Sequence, residues 1–193
     1  MNESESTSYE ENKGFNVDLL LKYRQVFLFG EIDQTQAEKL CKKLTYLDQE
    51  SHKPIKLFIN SQGGHVEAGD SIHDFIKFVH APIITIGSGY VASAGTHIYL
   101  AAKKENRFSL PNTRFMIHQP SGGGQGRASD LKIQMEQIIE MKERIIKITA
   151  EATGQPIERV RKDIDRDYWL TAQEALDYGI VGKIITSRAS LCE

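Results

Sequence analysis

Apolar positions along this chain follow two rhythms. Short dense runs at residues 25–29, 55–60 and 83–86 are rich in Val, Ile, Leu and Phe and read as buried strands. Between them, apolar residues recur every three or four positions. Ala37, Leu40, Cys41, Leu44 and Leu47 share one face of a helix predicted over residues 35–49, with lysines on the other face. Val66, Gly69, Ile72, Phe75, Ile76 and Val79 line a second helix over 66–79. Gly30 is expected to stop the first strand, and Ser61-Gln62-Gly63-Gly64 to turn the chain after the second.

The second half starts with a small-residue helix over 92–102. Two short strands at 107–110 and 114–118, parted by Pro111-Asn112, and a glycine-rich stretch over 121–126 come next. The longest helix is predicted over 129–152, ending before Gly154. Its apolar residues (among them Leu131, Ile133, Met135, Ile138, Ile139 and Ile145) spread over more than one stripe, which predicts burial on more than one side and points to a partner subunit. Pro156 opens a short helix. Thr171 and Glu174 have the spacing of a capping box for a helix ending at Gly179, and residues 180–185 form the last strand. Strands alternating with helices argue an α/β core with crossover connections. There is no repeat and no interior linker. The expected organisation is a polar, acidic, flexible segment over 1–16 and one domain over 17–193.

Composition narrows the function classes. The chain has 193 residues, 40% hydrophobic and 26% charged, with a net charge of −2, so bulk electrostatics do not draw it to nucleic acid or anionic membrane. No apolar run approaches the ~20 residues of a membrane span. The acidic start lacks the basic and apolar regions of a signal peptide. Cys41 and Cys192 stand far apart, which argues against a disulfide framework and suits a reducing cytoplasmic location. The six histidines form no HExxH pattern and pair with no CxxC motif, so neither a metal site nor a cofactor is expected.

Three features carry candidate chemistry. Ser93 lies among Gly89, Ala92, Ala94 and Gly95 at a strand-to-helix junction, where helix amides can meet an oxyanion. His118 ends an apolar strand before Gln119-Pro120. Asp165-Arg166-Asp167 precedes Tyr168-Trp169-Leu170. Each has a plainer alternative: a packing serine or cap, a core histidine bonded to a carbonyl, a solvated charged turn. Gly63-Gly64 reads first as a tight turn, but glycine also admits close backbone approach to a ligand. Together they supply what acyl transfer needs: a hydroxyl, a base near neutral pH, a carboxylate to orient the base and amides for the oxyanion.

The same residues resemble the Clp protease proteolytic subunit family over about residues 18–187. Asn60 to Gly64 is similar to that family's Asn-Ser-Pro-Gly-Gly turn, Gly89 to Gly95 to its nucleophile segment, and Leu110 to Pro120 to its histidine segment. Asp165 to Asp167, with Leu170-Thr171-Ala172 and Tyr178-Gly179, resembles its third segment. Ser93 and His118 stand 25 apart, and His118 and Asp167 49 apart, as in the family.

The resemblance implies a ClpP/crotonase-like spiral of strand-helix units with a protruding helix-strand handle. It implies Ser93 as nucleophile, His118 as base, Asp167 as the orienting acid, and the amides of Gly64 and Ala94 as the oxyanion hole. Asp165 and Arg166 would lie at a ring–ring contact. Phe58, Phe78, Phe108 and Ile185 match positions that dock an unfoldase. Two stacked rings of seven would enclose a chamber, unfolded proteins would be fed in by an ATP-dependent AAA+ unfoldase, and no metal or cofactor would be needed.

The chain departs from the pattern at Gln62 (usually proline), Ala94 (usually methionine), His97 (usually apolar), Lys56 (usually aromatic) and over its N-terminal segment. Those departures motivate an alternative: a paralogue that is weakly active alone and works in a mixed ring with a sister subunit. An acyl-CoA enzyme of the crotonase fold is a further alternative, since the Gly63-Gly64 amides suit an enolate. Nothing in the sequence suggests a CoA-binding residue.

Overall fold

The computed structural model describes residues 17–191. The flexible segment expected over 1–16, and Cys192, lie outside the described residues. The chain runs α1 (Val17–Lys22), β1 (Gln25–Ile32), α2 (Gln34–Glu50), β2 (Ile55–Gly64), α3 (Val66–Phe78), β3 (Ile83–Ala92) and α4 (Ala94–Tyr99). It continues through β4 (Arg107–Ser109), β5 (Arg114–Ile117), α5 (Ala128–Thr153), α6 (Ile157–Asp163), β6 (Tyr168–Thr171), α7 (Ala172–Tyr178) and β7 (Lys183–Ile184).

Successive strand-helix units lay β1, β2, β3, β4 and β7 side by side in parallel. Each crossover helix then packs its apolar stripe on the sheet. From α2 the buried residues are Ala37, Leu40, Leu44 and Leu47, with Cys41 half-buried at the margin. Asp33 caps this helix, its carboxylate accepting the Gln36 N–H at 2.6 Å. From α3 the buried residues are Ala68, Gly69, Ile72, His73 and Ile76. His73 on the core face is not a position the hydrophobic pattern could pick out.

β3 forks. Its first part, Thr85 to Gly87, pairs with β4, and its last part, Tyr90 to Ala92, pairs with β5. β5 in turn pairs antiparallel with β6. This fork positions the candidate site.

β1, β2 and β3 are longer than predicted because glycines expected to end them lie inside the ladder. Gly30, at φ +83°, marks a register shift between Phe29 and Glu31, and β1 runs on to Ile32. The presumed turn at 61–64 is likewise the end of β2, and β3 runs through Gly87 and Gly89. β6 has too few residues to leave a periodic signal, and it exists because β5 offers an edge. The predicted strand at 180–185 shrinks to Lys183–Ile184, since Ile180 and Val181 are buried in the core outside the ladder. The capping box at Thr171 and Glu174 is present as predicted.

α5 differs most from expectation. Only Ile146, Thr149, Ala150 and Thr153, in its last turns, are buried. Ile133, Met135 and Ile139 are 59%, 53% and 55% exposed. The helix therefore leaves the body, and its apolar stripes are not covered within the chain. The glycine-rich stretch before it is irregular among the described residues, with no strand beside it to complete a ladder.

Candidate active site

Ser93 occupies the corner between β3 and α4 at φ +56°, ψ −123°. Among the described residues only Arg24 is another non-glycine at positive φ. Such a conformation is costly and persists where its surroundings enforce it. Here the Ser93 N–H donates to the Met116 carbonyl at 3.0 Å, and the Thr96 hydroxyl lies 2.7 Å from the Val91 carbonyl and 2.8 Å from that of Met116. The corner is thus tied to β5. A sharp strand-to-helix turn of this kind pushes a serine hydroxyl out of the sheet.

The end of β2 closes on this corner. A Cβ on Gly63 would stand 2.6 Å from the Ser93 Cβ, and one on Gly64 would stand 2.2 Å from the Ile32 carbonyl oxygen. Both positions need glycine for close approach, not only for a turn. The Ser61 hydroxyl donates to the Gly30 carbonyl at 2.6 Å and accepts the Gly63 N–H at 3.0 Å, which holds the Gly63-Gly64 backbone in place. Turned over about its last torsion, the Gln62 amide would place its nitrogen 3.3 Å from the Gly30 carbonyl and its oxygen 3.2 Å from the Glu31 N–H, a bridge to the bulge in β1.

His118 follows the last residue of β5 and Asp167 precedes the first of β6. The β5–β6 register pairs Ile117 with Tyr168, which brings the two side chains together. His118 Nδ1 lies 2.9 Å from Asp167 Oδ1, and His118 Nε2 lies 2.7 Å from Ser93 Oγ. The three groups therefore form a continuous hydrogen-bonded chain, with Nδ1–H donating to the carboxylate and Nε2 left to accept from the hydroxyl. Gln119 braces the loop: its N–H donates to the Ile164 carbonyl at 2.7 Å, and its side-chain amide to the Asp165 carbonyl at 2.8 Å. Asp165 and Arg166 are themselves exposed beside the site.

Behind Ser93, helix α4 carries a buried polar group that is tied to α3 and α5. His97 is 7% exposed, its Nε2 is 2.9 Å from Asp70 Oδ1, and its ring stacks on His73 at 4.4 Å. Asp70 also accepts from Arg144 of α5 at 2.5 Å. Burial works to raise the Asp70 carboxyl, but His97 and Arg144 outweigh it and hold it below the usual carboxylate range. Burial and the neighbouring His97 push His73 down to about 4. Asp70, Arg144, His73 and Thr96 carry no local signal in the sequence, whereas His97 and Gln119 stand beside the serine and histidine segments.

The candidate docking residues are only partly assembled within one chain. Phe58 and Ile185 line one cavity of about 250 Å³ with Ile86, Leu110 and Leu191. Phe108 and Phe78 do not line it; Phe78, 78% exposed, lies at the end of α3 with its ring 5.9 Å from Phe75. The hollow between Ser93, His97, His118 and Ile164 is small, about 20 Å³. A larger one, about 700 Å³, lies between α1 and the end of α2, at the opposite end of the parallel strands, and holds no nucleophile–base pair.

A serine, a histidine and an aspartate in hydrogen-bonded sequence at the fork of a parallel sheet define a hydrolase-like site. Comparison with known proteins makes the class specific: the family model described as Clp protease matches residues 9–188, and the chain belongs to that family. It is 55% identical over 172 residues to the ATP-dependent Clp protease proteolytic subunit 3 of Rhizobium etli, covering 89% of each chain. It is 52% identical over 175 residues to proteolytic subunit 2 of Pseudomonas aeruginosa, covering 91% of this chain and 87% of that one. Among solved structures it is similar to ClpP1 of Listeria monocytogenes and to a point mutant of it, with TM-scores of 0.82 and 0.85. Both are 55% identical, covering 90% of this chain and 98% of theirs. The expected ClpP-like α/β fold is borne out.

Proposed function

We propose that the chain is a Clp-type serine endopeptidase subunit that hydrolyses peptide bonds of unfolded proteins. The observation that carries this reading is the chain Asp167–His118–Ser93 at 2.9 and 2.7 Å. Ser93 Oγ attacks the scissile carbonyl while His118 Nε2 takes its proton. Asp167 holds the imidazole tautomer and stabilises the imidazolium. The amides of Gly64 and Ala94 receive the oxyanion. His118 then gives the proton to the leaving amine, and water, activated by the same base, releases the acyl group from Ser93. No step needs a metal or cofactor.

On the same reading, the uncovered apolar stripes of α5 pack against another subunit, and Asp165 and Arg166 lie where two seven-membered rings meet. The Phe58–Ile185 cavity, completed by Phe78 or Phe108 of a neighbouring subunit, receives an AAA+ unfoldase of the Clp type, which makes degradation ATP-dependent. A second reading is a subunit that is weakly active alone and works in a mixed ring. The relatives carry numbered names, subunit 2 and subunit 3, which favours considering a sister chain.

A fluorophosphonate serine probe and a short fluorogenic peptide test the first reading. Wild type is labelled and hydrolyses the peptide, whereas Ser93→Ala loses labelling and activity by at least ~10³-fold. Labelling that survives the substitution overturns the assignment. Hydrolysis that appears only after a sister subunit is added selects the mixed-ring reading.

A further inference from the structure

At the end of the sheet opposite Ser93, three side chains from separate segments converge. Asp48 lies in the last turn of α2, His52 in the loop that follows and His80 between α3 and β3. We propose that Asp48, His52 and His80 form a binding site for a divalent transition-metal ion, with Zn²⁺ the best match. The sequence suggested no metal site because only the Asp48–His52 spacing is local; the fold brings in His80.

The geometry has the right scale. His52 Nδ1 is 3.2 Å from Asp48 Oδ1, His80 Nδ1 is 3.5 Å from Asp48 Oδ2, and the three ligand atoms lie within 4.8 Å of one another. Bonds of ~2.0–2.1 Å to a tetrahedral ion place ligand atoms about 3.3–3.4 Å apart, so small rotations of two exposed imidazoles suffice. Those rings are free to make them: the His52 and His80 side chains are 68% and 80% exposed, and the ring centroids are 5.2 Å apart.

The carboxylate, in contrast, is fixed. Its Oδ1 accepts the Ala81 N–H at 2.7 Å and its Oδ2 the His80 N–H at 3.3 Å. Those bonds use two of about four lone-pair sites and leave one on each oxygen for an ion. Burial opposes ionisation of Asp48, but the Ala81 and His80 amides and both imidazoles hold its carboxyl below the usual range. The loop bearing His52 is pinned by Arg24, whose guanidinium donates to the carbonyls of Leu47, Ser51 and Lys53 at 2.7–2.8 Å. Two imidazoles and one carboxylate suit Zn²⁺, Ni²⁺ or Cu²⁺ rather than Mg²⁺ or Ca²⁺, with a fourth position for water. A bound ion would clamp the end of α2 to the α3–β3 connection and stabilise the fold by mass action.

The test is titration of ZnSO₄ into tag-free full-length protein at pH 7.5 by calorimetry, with thermal unfolding as a second readout. One saturable ion per chain and a rise in Tm are expected. His52→Gln and His80→Gln, both exposed and neutral for folding, each lower the affinity at least about tenfold, and the double variant abolishes binding. His118→Ala and His65→Gln retain it. Co²⁺ in place of Zn²⁺ gives the intense visible bands of a tetrahedral site in wild type and not in the His52/His80 double variant. Absence of saturable binding overturns the proposal. So does binding that survives in the His52/His80 double variant or is lost with His118→Ala.

Discussion

Helices α4 and α5 meet the same requirement, covering apolar surface, in opposite ways. All six residues of α4 are buried, and the chain's own strands and neighbouring helices enclose it. α5 has 26 residues, and only its last turns are buried. At α4 the chain supplies close neighbours: Met116 for the backbone of Ser93, Asp70 beside His97, Gly63 for clearance. Along the first turns of α5 it supplies few, and Ile133, Met135 and Ile139 face outward. The lesson is that the reactive geometry is an intrachain property, while the projecting helix carries an apolar stripe that the chain itself leaves uncovered.

Four variants break or sharpen that contrast, in descending order of effect. Asp167→Asn leaves the fold intact but supplies the wrong partner to His118 Nδ1–H. Turnover of a fluorogenic peptide should fall by on the order of 10²–10⁴-fold; an unchanged kcat would remove Asp167 from the site. Ile133→Glu with Ile139→Glu attacks only the projecting helix. Assembly measured by native mass spectrometry should collapse toward smaller species, while the Tm of the body moves little, because exposed substitutions typically change stability by under ~0.5 kcal/mol. Retained full assembly would show that this stripe is not an interface.

The third bears on the core beneath α4. Free imidazole in the unfolded chain titrates near 6.5, whereas His73 in the fold does so only near 4. Between these values the unfolded chain takes up a proton that the fold refuses. The contribution of His73 is therefore complete above about 6.5 and is lost as pH falls toward 4, by roughly 3 kcal/mol. In His73→Gln, urea unfolding followed from pH 7 to pH 4 should lose less stability than wild type; parallel curves would exclude His73 as the cause. Last, Thr171→Ala removes the capping box of α7 and should cost about 1 kcal/mol, with little effect on hydrolysis because the bonds it removes join only Thr171 and Glu174.

Much of this was legible in the chain. The strand-helix alternation and the face of α2 follow from periodicity, since a helix that packs on a sheet must repeat its apolar residues every three to four positions. Ser93, His118 and Asp167 could be named from residue type, spacing and family resemblance. Elsewhere the local rules misled for physical reasons. Gly30 looked like a strand end, yet a glycine at positive φ can sit inside a ladder as a bulge. His73 and His97 looked polar, yet stacking and Asp70 let them be buried.

What the sequence determined by itself is therefore the inventory: most of the strands and helices, and which residues can act as nucleophile, base and acid. What only the tertiary structure decided is adjacency. The fork of β3 between β4 and β5, the one-residue register that sets His118 beside Asp167, the His97–Asp70–Arg144 link and the meeting of Asp48 with His80 all depend on contacts between residues distant in sequence. Such contacts form only when whole elements pack, so no local pattern of residues encodes them.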